Sequence, residues 1–207
     1  MSHIYFFDTE TTGLPLFKEP SEDPRQPHIV DICAILYSRD GELVDSFEAI
    51  VRPNGWDIPE EVAAIHGITY EMAMDLGIPE AEALDGFIAI HERAILRVAH
   101  NCSFDDRILR IALMRYRGEE AADAFKAQQS YCTALSAKPV CQLPPTERMK
   151  QTSFRNQFKT PNLAEALAYL TGEELEGAHR ARVDTEACAK IYFALQKRTY
   201  KLEWTER

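Results

Sequence analysis

Apolar positions fall into short runs near the start of the chain and into helical stripes further along. Residues 3–7, His-Ile-Tyr-Phe-Phe, form an apolar run closed by the turn-like Thr11-Thr12-Gly13, the pattern of a buried strand. Residues 15–28 carry Pro15, Pro20, Pro24 and Pro27 among mixed charges and read as a loop. A second strand is expected over 29–38, built on Ile29, Ile32, Ala34 and Leu36. Arg39-Asp40-Gly41-Glu42 then turns the chain into a third strand over 43–51, because Asp-Gly between apolar runs suits a tight hairpin. Residues 59–65 and 79–93 read as helices, and 93–99 as another buried strand. Apolar residues at 108, 109, 112, 113 and 116 give one face of a helix over 104–117, and 119–129 is Ala-rich and helix-prone. Four prolines and little periodicity make 138–161 a loop. Asn162 and Glu165 have the spacing of a capping box and open a helix to Leu170; a last amphipathic helix runs over 182–197. Strands followed by helices, without internal repeats, predict one mixed-sheet α/β domain over 1–207, with a core at 4–197 and a short extension at 198–207.

Composition narrows the class. With 207 residues, 45% hydrophobic and 27% charged, the chain can bury a core unaided, which excludes collagen-like, disordered and disulfide-scaffold proteins. A net charge of −10 excludes non-specific coating of nucleic acid, so any such contact must be local or carried by metal ions. The chain holds no apolar run of membrane-spanning length. Its first ten residues include Asp8 and Glu10, unlike a secretory leader. Five cysteines without a C-x-x-C pair are expected as reduced thiols of a cytoplasmic protein.

Three elements aim acid at an interior. Asp8 and Glu10 end the first strand two residues apart, so both emerge on one face. Taken alone, that pair marks no more than the solvent-exposed end of a strand. Asp184 shares a helical stripe with Cys188, Ile191 and Leu195, which puts a carboxylate on the packing face. His179 lies five residues earlier and converges with Asp184 only if it sits in the loop before the helix, since five residues of helix turn by about 140°. Asp105 aligns with Leu109, Ala112 and Tyr116 on the apolar side of its helix, whereas Asp106 aligns with Arg110 and Arg117 and is expected in a surface ion pair. Buried acids need a cation, and hard oxygen ligands of this kind suit Mg²⁺ or Mn²⁺.

Three segments carry a family resemblance: Phe7-Asp8-Thr9-Glu10-Thr11-Thr12-Gly13, His100-Asn101-Cys102-Ser103-Phe104-Asp105, and His179 with Asp184 in a His-x4-Asp spacing. In that order the chain resembles the DEDDh family of 3′→5′ exonucleases, which includes the proofreading epsilon subunit of bacterial DNA polymerase III, exonuclease X and RNase T. The segment from Glu61 to His66-Gly67-Ile68-Thr69 looks like the family's nucleotide-contact region, although Glu60 stands where epsilon subunits have Pro. The resemblance implies a ribonuclease H-like fold with a mixed five-stranded sheet flanked by helices. It implies that Asp8, Glu10, Asp105 and Asp184 hold two Mg²⁺ or Mn²⁺ ions, with His179 as the general base. It further implies that Glu61, His66, Asn101 and the backbone at Thr9–Thr11 contact the terminal nucleotide.

The activity expected from this resemblance is removal of nucleoside 5′-monophosphates from DNA 3′ ends, single-stranded ends preferred. RNA trimming by the same fold and a metal-free binding module are the alternatives, and association with a polymerase is a third. A basic stretch at 138–159 (Lys138, Arg148, Lys150, Arg155 and Lys159 against Glu147) interleaves with Phe154 and Phe158, with Tyr131 just ahead of it; it reads either as a nucleic-acid contact or as a solvated loop.

Overall fold

The computed structural model describes residues 3–205, with side chains through Arg198. Three strands open the chain: β1 (His3–Thr11), β2 (Ile29–Ser38) and β3 (Leu43–Arg52), paired antiparallel in sequence order. The β2–β3 turn closes with Ser38 N–H on the Glu42 carbonyl at 2.9 Å, and Gly41 takes the left-handed φ of 87° that the tight turn demands. Next come α1 (Glu60–His66), α2 (Tyr70–Leu76), the two-residue β4 (Ile78–Pro79) and α3 (Glu80–His91). β5 (Ala94–Ala99) joins β1 in parallel, and α4 (Cys102–Arg117), α5 (Glu119–Ala127) and β6 (Ser130–Cys132) follow. The rest is helical: α6 (Thr133–Cys141), α7 (Glu147–Lys150), α8 (Leu163–Thr171) and α9 (Ala181–Thr205).

The sheet order is β4-β3-β2-β1-β5-β6, six strands where five were expected. Four of the six were read along the chain; the two short edge strands were not, β4, whose Ile78 and Pro79 pair with Val51 and Arg52, and β6, which pairs with β5. So short a segment carries no alternation to read. The expected loop at 138–161 is also corrected: its first residues end α6, with Pro139 inside the helix, and Glu147–Lys150 forms a short turn of helix. The last helix runs from Ala181 to Thr205 rather than over 182–197.

β1 divides the core by its period of two. Tyr5 and Phe7 point into one layer with Phe87 of α3 and Ile108 and Leu109 of α4. Ile4 and Phe6 point into the other, against Cys188, Ala189 and Tyr192 of α9. That alternation places the site, because it continues past the core: positions 8 and 10 face the α9 layer, and position 9 faces α4. The capping box at Asn162 and Glu165 is present in both directions and starts α8, which packs on α9 through Ala166 and Leu167. Among the described residues no helix is long and apolar enough to cross a membrane.

Candidate active site

A cleft of about 330 Å³ opens at the carboxyl ends of the parallel strands β1 and β5, where open α/β sheets place their ligands. Asp8, Glu10, Asp105, Asp184 and His179 all line it, with Thr9, His100, Asn101, Phe104 and Leu163. Asp8 and Glu10 stand half-buried on the α9 side of β1, as their two-residue spacing predicts. Thr9, on the other side, donates both its N–H (3.1 Å) and its hydroxyl (2.9 Å) to Asp105 Oδ1. Its N–H and hydroxyl thus fix the α4 carboxylate, and Thr9 also lines the cleft. Asp184 lies in the first turn of α9, and His179 sits in the loop before that helix in a left-handed conformation (φ 66°). Its backbone N–H donates to Asp184 Oδ2 at 3.1 Å, and its ring is exposed.

Four acids share this cleft with few donors. Burial is the first cause that raises each of their pKa values, and for Asp8 and Glu10 the neighbouring acids add to it. Asp8 stands well above the usual carboxylate range, pushed by burial and then by Asp105, Asp184 and Glu10. Glu10 is pushed up to about 8 by burial, Asp184, Asp31 and Asp105, with Arg180 opposing. The Thr9 hydrogen bonds hold Asp105 back only in part, and the His179 N–H does the same for Asp184. Asp184 Oδ1 is buried without a hydrogen-bond partner. One donor atom from each of Glu10, His179 and Asp184 lies within 4.8 Å of the others. Clustered oxygens, an orphaned carboxylate oxygen and mutual repulsion all fit a hard divalent cation.

The nucleotide-contact residues are more scattered. His66, at the end of α1, is buried; its Nδ1 accepts the Ile68 N–H at 3.2 Å and its Nε2 is buried without a partner. Burial, then Arg180 and His179, pushes its imidazole below its ordinary value, and it is not among the cleft-lining residues. Glu61 is exposed on the first turn of α1 and is not among the cleft-lining residues. Thr11 turns its hydroxyl onto the Gly13 carbonyl at 2.8 Å. Asn101 precedes α4 in a left-handed conformation (φ 63°) and lies at the cleft wall.

Two further residues were given no role in the sequence reading. Asp31, paired with Glu10 across β1 and β2, accepts Arg180 Nε at 3.0 Å and the Ala181 N–H at 3.3 Å, pinning the His179 loop to the sheet. An acid inside the apolar run Ile29-Val30-Asp31-Ile32 was the available signal. His100 bonds Thr133 Oγ1 at 2.9 Å and the Pro161 carbonyl at 3.2 Å, tying β5 to the entry of α8. Asp106 corrects the sequence expectation. It pairs with the buried Arg97 of β5 (Nε to Oδ1, 2.9 Å), while Arg110 pairs with Asp123 and Arg117 with Asp85. Helical spacing alone could not show that β5 brings a guanidinium beneath α4.

A family model described as exonuclease matches residues 5–192, and the chain belongs to the DEDDh exonuclease family. It is 30% identical to an uncharacterised exonuclease of Escherichia phage 186, over 93% of this chain and 87% of that one. A PolC-type DNA polymerase III of Thermotoga petrophila is 35% identical over 54% of this chain, which spans 7% of that polymerase. Among solved structures, E. coli exonuclease I in complex with a dT13 oligonucleotide superposes with a TM-score of 0.71 at 18% identity, covering 100% of this chain and 44% of that one.

Proposed function

We propose that the protein is a 3′→5′ exonuclease that hydrolyses the terminal phosphodiester of DNA, prefers single-stranded ends and releases nucleoside 5′-monophosphates. The observation that carries this reading is the gathering of Asp8, Glu10, Asp105, Asp184 and His179 around one cleft, with Asp184 Oδ1 unpartnered. The PolC-type relatives and the oligonucleotide-bound exonuclease I support DNA as the substrate.

The four carboxylates would hold two Mg²⁺ or Mn²⁺ ions, which when bound supply Lewis-acid activation of water and charge stabilisation of the leaving 3′ oxygen. Thr9 keeps Asp105 in place by two hydrogen bonds, and the His179 N–H keeps Asp184 in place by one. The exposed His179 ring, anchored through Asp31 and Arg180 at the foot of its loop, accepts the proton of the attacking water and passes it to solvent. Imidazole as a class exchanges protons near neutrality, which suits it to that role. Asn101, at the cleft wall, would contact the terminal nucleotide, with His66 assigned to the same role by the family resemblance.

Digestion of 5′-labelled linear strands tests the reading. A ladder shortening one nucleotide at a time with Mg²⁺ or Mn²⁺, nucleoside 5′-monophosphates as product and no attack on a circular strand are expected. Blunt duplex should react more slowly, because freeing a paired terminal nucleotide costs a few kcal/mol. Cutting of the circle at a comparable rate would make the enzyme an endonuclease, and faster digestion of RNA than DNA would reassign the substrate.

A further inference from the structure

We propose that the exposed arm from Leu143 to Lys159 is a track that carries single-stranded nucleic acid towards the cleft, an inference that rests on the exonuclease reading. The arm is an ordered excursion closed at its base, where Lys159 N–H donates to the Leu143 carbonyl at 2.9 Å. Its interior is held by local bonds rather than by packing. The Thr152 hydroxyl donates to the Met149 carbonyl at 2.9 Å, and Gln157 N–H donates to the Phe154 carbonyl at 2.9 Å. Residues 150–158 are all exposed.

The arm displays aromatic rings and cations side by side. Phe154 and Phe158 are 53% and 43% exposed, and among the described residues neither belongs to a buried apolar cluster. Arg148 and Arg155 have no carboxylate within ion-pair distance among the described residues, unlike Lys150 and Lys159, which pair with Glu147 and Glu165. The arm is therefore net positive on a chain of net charge −10. Aromatic faces interleaved with free guanidinium groups are the combination that binds a single strand, bases stacking and phosphates pairing.

Position completes the argument. The arm runs directly into Pro161, whose carbonyl accepts from His100, and Leu163, which lines the cleft. Four residues from Lys159 to Leu163 span at most about 14 Å, so the arm's root lies within a few nucleotides of the carboxylates. A strand whose 3′ end occupies the cleft would thus lie beside the arm with its next bases. Stacking and phosphate pairing do not read the sugar, so the guest is defined as a single strand, and DNA and RNA are separated by experiment.

Fluorescence anisotropy with 5′-labelled dT20 and U20, in chelator so that nothing is cleaved, tests the track. The comparison is of the full chain with Phe154→Ala/Phe158→Ala and with Arg148→Ala/Arg155→Ala, all at exposed positions where folding should be unaffected. The aromatic pair should raise Kd by about tenfold or more. The arginine pair should reduce the slope of log affinity against log salt by roughly 1.4, two phosphates' worth for a single strand. Loss on either oligonucleotide supports the track and names its guest. Unchanged Kd and slope on both, or no binding by the full chain, overturns it. Binding is read without turnover, so an inert enzyme would count against the exonuclease reading while the anisotropy still decides the arm.

Discussion

Glu80 and Asp184 are both buried acids on the first turn of a helix, and the molecule treats them in opposite ways. Glu80 is enclosed by donors: the Ile29 N–H at 3.1 Å, the Tyr116 hydroxyl at 2.9 Å, His28 at 2.7 Å and the Arg115 guanidinium at 3.5 Å. His28 is itself stacked on Trp56, with ring centroids 4.6 Å apart. Asp184 receives one backbone N–H and keeps a buried oxygen without any partner, among three other acids. Where this fold needs a carboxylate for structure, it surrounds the group with hydrogen-bond donors and a cation. Where it withholds them, the missing charge must come from outside the chain. Buried carboxylates alone therefore do not mark a site; buried carboxylates without partners do.

Substitutions in the two regions should separate along that line. Asp8→Asn, Asp105→Asn or Asp184→Asn should each lower turnover on a labelled strand by about 10³-fold or more, the scale of losing several kcal/mol of charge stabilisation, with the fold retained. His179→Ala should lower turnover by roughly 10²–10⁴-fold while metal binding persists, and loss of metal affinity there would make His179 a ligand. Glu80→Ala should do the reverse: activity per folded molecule stays, while denaturant unfolding shows a loss of about 3–5 kcal/mol, because the Ile29 N–H and the Tyr116 hydroxyl lose their buried acceptor and Arg115 its carboxylate. A smaller cost, about 1–3 kcal/mol, is expected for Asp106→Ala, since Arg97 keeps the Phe125 and Gln128 carbonyls as acceptors.

The subtlest effect is in pH. Glu10 has a folded pKa of about 8 against an unfolded value of about 4.3, so between these values the folded state binds more protons. The metal-free protein should therefore lose stability as pH rises from about 5 through 8. Thermal melts should show that decline flattened by Glu10→Gln and offset by Mg²⁺ at the alkaline end. A metal-free melting temperature that rises over the same range would contradict the electrostatics of the cleft.

Much of this arrangement was legible in the sequence, and the exceptions share a cause. The β2–β3 turn and the capping box at Asn162 are local signals, written in residues a few positions apart, and both stand as read. Period-two alternation put Asp8 and Glu10 on one face, and helical spacing put Asp105 and Asp184 inward, because those positions are set by the element itself. What escaped depends on partners distant in the chain. β6 is three residues long and exists through its ladder with β5; Asp106 found Arg97; and both polar groups of Thr9 went to Asp105. Pro139 argued for a loop on local grounds, yet Ala137 and Cys141 pack with Ala166 and Ile191, and that burial keeps the segment helical.

The most direct measurement is calorimetric titration of Mn²⁺ into the metal-free protein, with Asp184→Asn and Glu80→Gln alongside. The account predicts two ions per chain for the wild-type protein, binding lost or sharply weakened in Asp184→Asn, and binding preserved in Glu80→Gln. Absence of binding at millimolar Mn²⁺, or equal binding by all three proteins, would contradict the claim that the cleft carboxylates around the unpartnered Asp184 Oδ1 form a cation site.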